Sequence, residues 1–450
     1  MKQKTELKTF DVTIIIISLV IGMGIFRTPH DVARDAVSQY IFFAAWIFGG
    51  LIALCGALTF AEIGSRYPVT GGFYKIYSYC FHPAIAFMIN CLILISNAAS
   101  ISAVALIGAG YLQSILPEAY HAAGYKQLIA ISAILVFFVV NYLGLKMSVR
   151  TQNFLMVTKI GILLAICIGA FYSGSQPIHE ADKIVINKAT QSWETIDYIR
   201  ALGIAMIAVS FSYGGYQQTI NFGGEVHNPQ KTIPRAIITG IIIILAFYLL
   251  VNYSYYNVLG MEGMKANKND LAARHMQTMF GSTAYNIMCF LLFFSVLAYV
   301  NIGLMSNPRV MYAMAEDNVL HPSFAKQNQK QVLTFSLPVF TAISVLTLIF
   351  SSEVETILDR VIFLDSIGLA TAVASIFILR KKTKHLDEQN TPIFKMKLYP
   401  FIPIFYIVAF LFITVSILIK DPFAGIIGGG LMLFFFVMYK LLTSTNIKRT

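Results

Sequence analysis

Long apolar runs, separated by short polar segments, make up most of the chain. At least half a dozen of them reach the roughly 20 residues that a helix needs to cross a bilayer. This pattern predicts an all-α membrane protein with about twelve transmembrane helices. Their expected ranges are about 11–37, 40–65, 84–113, 127–143, 153–173, 200–226, 235–259, 283–316, 334–351, 357–380, 398–419 and 422–441.

The composition suits a bilayer better than water. Hydrophobic residues make up 57% of the 450 residues, charged residues make up 12%, and the mean hydropathy is +0.70. An average soluble domain has about 25% charged residues, and a soluble protein rarely exposes so much apolar surface. The five cysteines include no CxxC pair, so the sequence predicts neither a disulfide framework nor a metal site.

The distribution of charge predicts how the chain is oriented. The net charge is +11, and the basic residues gather between apolar runs, most densely at 380–384. Cytoplasmic loops carry an excess of Lys and Arg, so this charge indicates topology and not a nucleic-acid partner. With twelve spans, both tails, 1–10 and 442–450, are expected in the cytoplasm. Basic residues also occur in two longer loops on the other side, 174–199 and 260–282, where the charge rule is weaker.

Glycines interrupt two of the predicted helices near their middle. Helix 1 contains Gly22-Met23-Gly24-Ile25-Phe26, and helix 6 contains Phe211-Ser212-Tyr213-Gly214-Gly215-Tyr216. Each glycine weakens a helix by about 1 kcal/mol, and unwound backbone at membrane depth is tolerated where it lines a cavity. The breaks are five helices apart. We therefore expect two copies of one unit, at 11–173 and 200–380, followed by helices 11 and 12 at 398–441.

Broken helices at matching places in two halves indicate the binding site of a transporter. The N-terminus of a half-helix offers N–H groups and the positive end of a dipole to a carboxylate. Carbonyls freed by the break accept hydrogen bonds from an ammonium group, so the pair of breaks suits an α-amino acid. The alternative is that the glycines only allow close packing of helices, as small residues often do.

Other classes of membrane protein are less well supported. A channel more often shows a re-entrant filter or rings of charge, and an enzyme needs clustered catalytic residues. The sequence shows neither pattern, and its eight histidines lack metal-binding spacing. It contains no Walker loop, which argues against direct use of ATP. We expect a secondary transporter, not an enzyme, with no cofactor.

Several motifs in order along the chain resemble one family of transporters. The chain is similar to the amino acid–polyamine–organocation superfamily and, within it, to the L-type amino-acid transporters. The matching elements are the two glycine breaks, Ala61-Glu62-Ile63-Gly64, Thr151-Gln152-Asn153, Glu225 to Pro229, Ile233 to Ala236, and Asn301 with Arg309.

The resemblance implies a LeuT-like five-plus-five inverted repeat with two further helices, and alternating access around a midplane site. It implies that the amides of Met23 and Gly24 hold the carboxylate. Carbonyls of Val20, Phe211 and Gly214 would hold the ammonium, and the Phe211 ring would act as a gate. The expected substrate-binding residues are Val20, Gly22, Met23, Gly24, Ile25, Phe211, Ser212, Gly214, Gly215, Tyr216 and Asp365.

The chain departs from the family pattern in several places. Met23 stands where serine is usual, Tyr216 where tryptophan is frequent, and Asp365 where the L-type pattern has asparagine. The loop at 114–126 contains no cysteine, whereas animal members use one there to join a single-span glycoprotein. We therefore expect no covalent partner of that kind, and by the same analogy a bacterial inner membrane.

Lys159 lies in an apolar run of helix 5, and a buried intramembrane lysine is a functional-site hypothesis by default. In related transporters without sodium coupling, a lysine here resembles a replacement for the second sodium ion. Its ammonium would tie helix 5 to the unwound part of helix 1, so the prediction is sodium independence. Because burial disfavours the charged form, the lysine is also a candidate to release a proton during the transport cycle. The alternative is a lysine that snorkels to the cytoplasmic edge.

Asp365 is expected to contact a polar or cationic substrate side chain or to carry a proton. The alternative is a carboxylate paired with Arg360 or with a hydroxyl. Gating or structural roles are expected for four residues. Glu62 and Glu225 would pair with Arg66, Lys231 or Arg235, and Asn301 and Arg309 would bond to neighbouring helices or, for Arg309, snorkel.

These observations predict a sodium-independent amino-acid transporter that works by alternating access. An exchanger of neutral amino acids follows from the L-type resemblance. The alternative is a proton-coupled symporter, with small polar or cationic amino acids left open by Asp365 and Met23.

Overall fold

The computed structural model describes residues 7–22, 24–36, 38–69, 72–172, 194–221, 223–267, 270–350, 354–388 and 392–446. Helix 1 consists of helix 1a, Thr9–Val20, and helix 1b, Gly24–Ala36. Helix 6 is Thr195–Tyr213, followed by the 3-10 turns Tyr216–Asn221 and Gly223–Glu225. The other long helices are helix 2, Gln39–Arg66; helix 3, Pro83–Gln113; helix 4, Ala123–Tyr142; helix 5, Leu145–Cys167; helix 7, Pro229–Ala266; helix 8, Ser282–Glu316; helix 9, Ser336–Phe350; helix 10, Val354–Lys382; helix 11, Phe401–Lys420; and helix 12, Pro422–Asn446.

The described residues contain ten helices that are long and apolar enough to cross a bilayer. Helices 1a and 1b, bent by 43°, form an eleventh span if they are counted together. Helix 9 is apolar but has only 15 residues, fewer than the roughly 20 of a full span. The all-α membrane class is confirmed, and the count of twelve spans stays a prediction.

Shorter helices lie between these spans. Gly72–Cys80 follows helix 2, Leu271–Phe280 precedes helix 8, and Lys384–Glu388 follows helix 10. We call the end of the bundle where helix 1 begins and helix 2 ends the inner end, and the opposite end the outer end. The charge pattern predicts that the inner end faces the cytoplasm.

Helix contacts repeat with a shift of five helices. Helix 1 packs on helix 7, and helix 6 packs on helix 2. Helix 3 packs on helix 10, and helix 8 packs on helix 5. Helix 4 packs on helix 8, and helix 9 packs on helix 3. Because five is odd, the second copy of the unit enters the bilayer from the opposite side. The five-plus-five inverted fold is therefore confirmed, while the residue boundaries of the two units stay predictions.

The helices differ in how deeply they lie in the bundle. Of the most apolar window of helix 3, 89% is buried inside the protein, against 11% for helix 12. A helix that is apolar all round can face either a protein core or lipid. Helix 3 therefore lies at the centre of the bundle, and helix 12 lies at its lipid-facing edge.

Candidate functional site

The break in helix 1 lies where its glycines predict it. Helix 1a ends at Val20, and the Gly22 N–H donates to the Val20 carbonyl at 2.7 Å. Met23 lies outside the described residues. At Gly24, where helix 1b begins, an added Cβ would lie 2.8 Å from the Cα of Ser212. Glycine is required there because the first turn of helix 1b packs directly against helix 6.

The break in helix 6 depends on Gly215. The α-helix ends at Tyr213, and Gly215 has a φ of 117°, a conformation that favours glycine. A Cβ at Gly215 would lie 2.4 Å from the Leu19 carbonyl oxygen. The two breaks therefore touch each other through their backbones, and the chain leaves the second break as 3-10 turns instead of an α-helix.

Tyr248 of helix 7 connects the two breaks. Its side chain is fully buried, and its hydroxyl lies 3.1 Å from the Val20 carbonyl and 3.0 Å from the Ser212 carbonyl. A hydroxyl has one hydrogen, so it can donate to either carbonyl in turn. Sequence reasoning missed this residue, because one tyrosine in an apolar helix carries no distinguishing pattern.

A cavity, which we call the central cavity, lies between the breaks. It contains about 670 Å³ of space not filled by atoms, part of it open to solvent. Ile25 and Tyr216 were expected to line it but do not. Ile25 is fully buried, and the Tyr216 hydroxyl donates to the Tyr406 hydroxyl at 3.3 Å. The expected residues that do line it are Val20, Gly22, Gly24, Phe211, Ser212, Gly214, Gly215 and Asp365.

Other polar residues of the cavity were not predicted. Asn97 and Ser100 of helix 3, Gln217 and Gln218 after the break, and Tyr299 of helix 8 line the same space. The two helix 3 residues lie in a short stretch of serine, asparagine and alanine within a long apolar run. Their position toward the cavity follows from the packing of helix 3 at the centre of the bundle, which the sequence pattern does not encode.

Two of the three carbonyls expected to hold an ammonium group, those of Val20 and Phe211, already have partners. Val20 accepts hydrogen bonds from the Gly22 amide and from Tyr248, and Phe211 accepts one from the Gly214 amide at 3.3 Å. An ammonium at Val20 would therefore have to replace the Tyr248 hydroxyl. That hydroxyl would keep a partner, because the Ser212 carbonyl is equally close.

Asp365 lies at the edge of the central cavity, partly exposed to it. Its Oδ1 accepts a hydrogen bond of 2.6 Å from the Ser96 hydroxyl of helix 3. Of the two partners considered from sequence, the described residues therefore supply a hydroxyl and not Arg360. The bond leaves Oδ2 without a protein partner among the described residues, so the carboxylate can still bond to a ligand.

Lys159 is fully buried, and its Nζ donates to the Ile21 carbonyl in the break of helix 1. The side chain thus points into the bundle and does not snorkel to the edge. Ile21 is the partner recorded within the described part of the chain. The contact ties helix 5 to the unwound segment of helix 1, as the resemblance implied.

Glu62 lies at the inner end of helix 2, and its side chain is entirely buried. Its carboxylate accepts hydrogen bonds from Arg66 at 2.8 Å, from Arg380 of helix 10 at 2.7 Å and from the Met396 amide at 2.9 Å. Arg66 also donates to Asp387 at 3.1 Å. We call this group the inner-end clasp.

The partners expected for Glu62 were only partly right. Arg66 is a partner, whereas Lys231 and Arg235 are exposed on helix 7 and the second arginine is Arg380. The reason is that the inner end of helix 10 packs beside helix 2. The backbone of Glu225 lies in a 3-10 turn, and its side chain is outside the described part of the structure.

Asn301 connects three helices away from the cavity. Its Nδ2 donates to Gln152 of helix 5 at 2.9 Å and to the Ser148 carbonyl at 3.2 Å, and its Oδ1 accepts from Asn141 of helix 4 at 3.0 Å. It therefore bonds to neighbouring helices as expected. Arg309 is half-buried on helix 8. Among the described residues, no three His, Cys, Asp or Glu side chains are grouped to hold a metal ion.

Comparison with known proteins identifies the family. The sequence profile described as amino acid permease matches residues 7–441. The serine/threonine exchanger SteT of Bacillus subtilis (strain 168) is 28% identical over 429 residues, which cover 93% of this chain and 92% of that protein. The large neutral amino acids transporter small subunit 2 of Homo sapiens is 26% identical over 423 residues, covering 93% and 77%. The cystine/glutamate transporter of Homo sapiens is 27% identical over 428 residues, covering 92% and 80%.

The profile covers nearly the whole chain, and all three relatives are transporters or exchangers of amino acids by name. The expectations of a transporter instead of an enzyme, and of an amino acid as its substrate, are confirmed. The chain belongs to the amino acid permease family of the amino acid–polyamine–organocation superfamily, and it is a multi-pass membrane protein that transports amino acids.

Proposed function

We propose that the protein is a sodium-independent exchanger of neutral amino acids that works by alternating access. The observation that carries the proposal is the central cavity, formed where the two helix breaks meet. The first turn of a helix leaves N–H groups without partners in the helix. Gly24 begins such a turn at the cavity wall, which suits the carboxylate of an amino acid.

The ammonium group of the substrate would face carbonyls of both breaks. The carbonyls of Val20 and Gly214 are expected to accept from it, with Tyr248 moving its hydrogen bond to Ser212. The Ser212 carbonyl lies 3.0 Å from the Tyr248 hydroxyl. This exchange of partners leaves no buried polar group unpaired, which would otherwise cost about 1–3 kcal/mol.

Lys159 supports sodium independence. Its fully buried ammonium contacts the Ile21 carbonyl of the unwound segment, so a fixed positive charge already lies against this backbone. A sodium ion beside it would be repelled, because two like charges interact strongly in a medium of low dielectric. The lysine therefore makes, without sodium, the contact that a bound cation would otherwise make at this backbone.

Three cavities lie in sequence from the outer to the inner end, which supports alternating access. The outer cavity is lined in part by Thr28, Asp31 and Lys420, and it shares Phe211 and Ile362 with the central cavity. The Phe211 and Ile362 side chains therefore separate the two spaces, which supports the gating role proposed for Phe211. At the other end, the inner-end clasp joins helices 2 and 10.

Exchange, instead of net uptake, is supported by likeness to the serine/threonine exchanger SteT. Asp365 favours a second candidate, proton-coupled symport. It is an acid in the cavity wall that has one hydroxyl as its recorded protein partner among the described residues, and intramembrane carboxylates often relay protons.

We further propose that the inner end faces the cytoplasm of a bacterial cell and that no disulfide-linked partner is needed. The second point rests on the loop 114–126, which contains no cysteine. The human relative is named a small subunit, so the test asks whether this chain is joined to another chain by a disulfide. On a non-reducing gel, the protein from its native membrane should migrate as it does after reduction.

The main test uses purified protein in liposomes at a fixed pH. Uptake of labelled neutral amino acids is measured with sodium or choline outside, and with or without unlabelled amino acids inside. We expect strong stimulation by the internal pool and no effect of sodium. Uptake that ignores the internal pool but follows an imposed proton gradient would favour the symporter, and sodium-dependent uptake would contradict the role given to Lys159.

A matched control separates the site from the protein's integrity. Gly215→Ala places a Cβ against the Leu19 carbonyl and should abolish exchange. Gly161→Ala adds the same methyl group in helix 5, where nothing lies within 4 Å, and should leave exchange unchanged. Equal activity of the two variants would contradict the assignment of the breaks as the substrate site.

A further inference from the structure

A second cavity continues from the central cavity toward the inner end. The two share Asn97, Gln217, Gln218, Asp365 and Leu369, so they lie next to each other. Carboxamide side chains from helices 3, 6 and 8 line most of the second space. We call it the amide cavity, and its carboxamides are Asn90, Asn97, Gln217, Gln218, Asn221 and Asn307.

Protein contacts use only part of the hydrogen-bonding capacity of these side chains. The Asn97 amide nitrogen donates to Asn307 at 2.6 Å, Gln217 accepts from the Gly215 amide at 2.8 Å, and Asn221 accepts from the Phe73 amide at 3.2 Å. A carboxamide offers two N–H donors and an oxygen acceptor. In the described part of the chain, the Asn97 oxygen and the Gln217 and Asn221 nitrogens have no protein partner.

Asn90 carries the argument furthest. It is fully buried, and its Nδ2 donates to the Ala86 carbonyl at 2.7 Å. Its Oδ1 is buried and has no hydrogen-bond partner among the described residues. A buried acceptor without a partner is unfavourable, and here it belongs to a side chain that lines a cavity. Asn90 is part of the lining of the amide cavity, so a small rotation of its side chain would turn this acceptor toward a donor group of a ligand.

The usual role of a polar residue in a membrane bundle is to hold helices together. Asn301 shows what that role looks like in this protein, because its nitrogen and its oxygen both bond to neighbouring helices. Asn307 resembles Asn301, because it accepts from Asn97 at 2.6 Å and donates to the Gly303 carbonyl at 2.9 Å. The other five carboxamides of the amide cavity each keep a nitrogen or an oxygen without a partner among the described residues. Helix packing alone does not account for five such groups around one space.

We propose that the amide cavity is a subsite on the inner route that binds the side chains of neutral amino acids bearing a hydroxyl or a carboxamide. This rests on the proposed function and names its substrate class. Such side chains both donate and accept hydrogen bonds, as the lining does. An apolar side chain leaves the amides unpaired.

The test compares isosteric substrates from the inner side in liposomes. Proteolysis from one side identifies the orientation of the protein in the liposomes. The liposomes are then loaded with threonine or valine, and the half-saturating internal concentration for exchange is measured. In Asn90→Leu, we expect that concentration to rise about five-fold to ten-fold for threonine, the effect of one lost hydrogen bond. The value for valine and the external affinities should stay unchanged.

Asn252 of helix 7 supplies the matched control. It is equally buried, donates to the carbonyl four residues earlier at 2.7 Å and has an unpartnered oxygen. It does not line the amide cavity as described. Asn252→Leu should leave unchanged the ratio of the half-saturating concentrations for threonine and valine. An equal change of this ratio in Asn90→Leu and Asn252→Leu would overturn the proposal.

Two further results keep the test decisive. If Asn90→Leu does not fold, as judged by gel filtration, Gln218→Met removes a carboxamide from the same wall. It should also raise the half-saturating internal concentration for threonine relative to that for valine. A variant that exchanges threonine and valine with unaltered preference overturns the subsite but leaves the exchanger standing. Wild-type protein that moves no amino acid contradicts the proposed function itself.

Discussion

Two carboxylates of this protein, Glu62 and Asp365, differ in the number of groups that bond to them. Glu62 accepts from two arginines and one backbone amide and is entirely buried. Asp365 accepts from the Ser96 hydroxyl and lies partly exposed in the central cavity. A buried charge is tolerated when partners satisfy it. Glu62 is therefore part of the fixed structure, and Asp365 is available to a ligand.

The surroundings of the two groups strengthen the contrast. Arg380 bonds to Glu62 and also stacks on the Tyr399 ring, with 3.6 Å from its guanidinium carbon to the ring centre. The clasp therefore joins helix 2, helix 10 and the segment after helix 10. Within the described residues, Asp365 joins helix 10 to helix 3. Substitutions at the two sites should accordingly affect stability at the first and selectivity at the second.

Glu62→Ala should have the largest effect. It leaves two arginines without their shared carboxylate, and breaking a buried pair costs about 3–5 kcal/mol. We expect a clearly lower melting temperature in detergent and little exchange. The control is Glu388→Ala, since Glu388 is exposed and lies 3.4 Å from Lys384. If Glu62→Ala melts like the wild type, the clasp is not part of the stable structure.

Lys159→Met should have the next largest effect, on transport more than on folding. The substitution keeps the length of the side chain but removes the ammonium that bonds to Ile21. We expect exchange to fall at least about ten-fold, which corresponds to 1.4 kcal/mol, while the protein still elutes as one species. Robust exchange by this variant, with or without sodium, would remove the support for a fixed cation at this site.

Asp365→Asn should change selectivity and leave the fold intact. Asparagine keeps an oxygen that accepts from Ser96, so the free energy of unfolding should change by less than about 1 kcal/mol. The melting temperature should therefore stay close to that of the wild type. The ratio of rates for polar and apolar substrates should change several-fold, and any dependence on external pH should weaken. An unchanged substrate profile together with an unchanged pH response would place Asp365 with Glu62 as a structural group.

Asp387→Asn should have the smallest effect. Partial burial acts to raise the pKa of Asp387, but hydrogen bonds from Arg66 and Lys395 outweigh it and hold the pKa below its usual 3.8. Its contribution to stability is therefore complete above that pH and is lost only as pH falls through the lowered value. Between about pH 6 and pH 8 we expect a constant loss of under about 1 kcal/mol, because Asp387 and its second partner Lys395 both remain in contact with solvent.

A pH titration of melting temperature checks this last expectation. The difference between Asp387→Asn and the wild type should be flat across that range and shrink toward acid. A difference that grows toward acid would mean that Asp387 is not held in its charged form.

Local properties of the sequence determined the helices and the two breaks. Hydropathy adds up along a run of residues, so the spans follow without knowledge of their neighbours. A glycine permits backbone conformations that other residues rarely adopt, so the position of Gly215 in the sequence predicted the break in helix 6. Lys159 could be identified as a candidate from the sequence, because an apolar run rarely contains a lysine. The family resemblance further placed its ammonium against helix 1.

Only the tertiary structure decided which side chains meet. Arg380 bonds to Glu62 across 318 positions of the chain, and Tyr248 reaches two carbonyls that lie on different broken helices. The amide cavity collects asparagines and glutamines from three helices, none of which stands out in its own segment. The physical reason is that local periodicity sets which face of a helix is apolar, whereas the neighbour of that face depends on how the whole bundle packs.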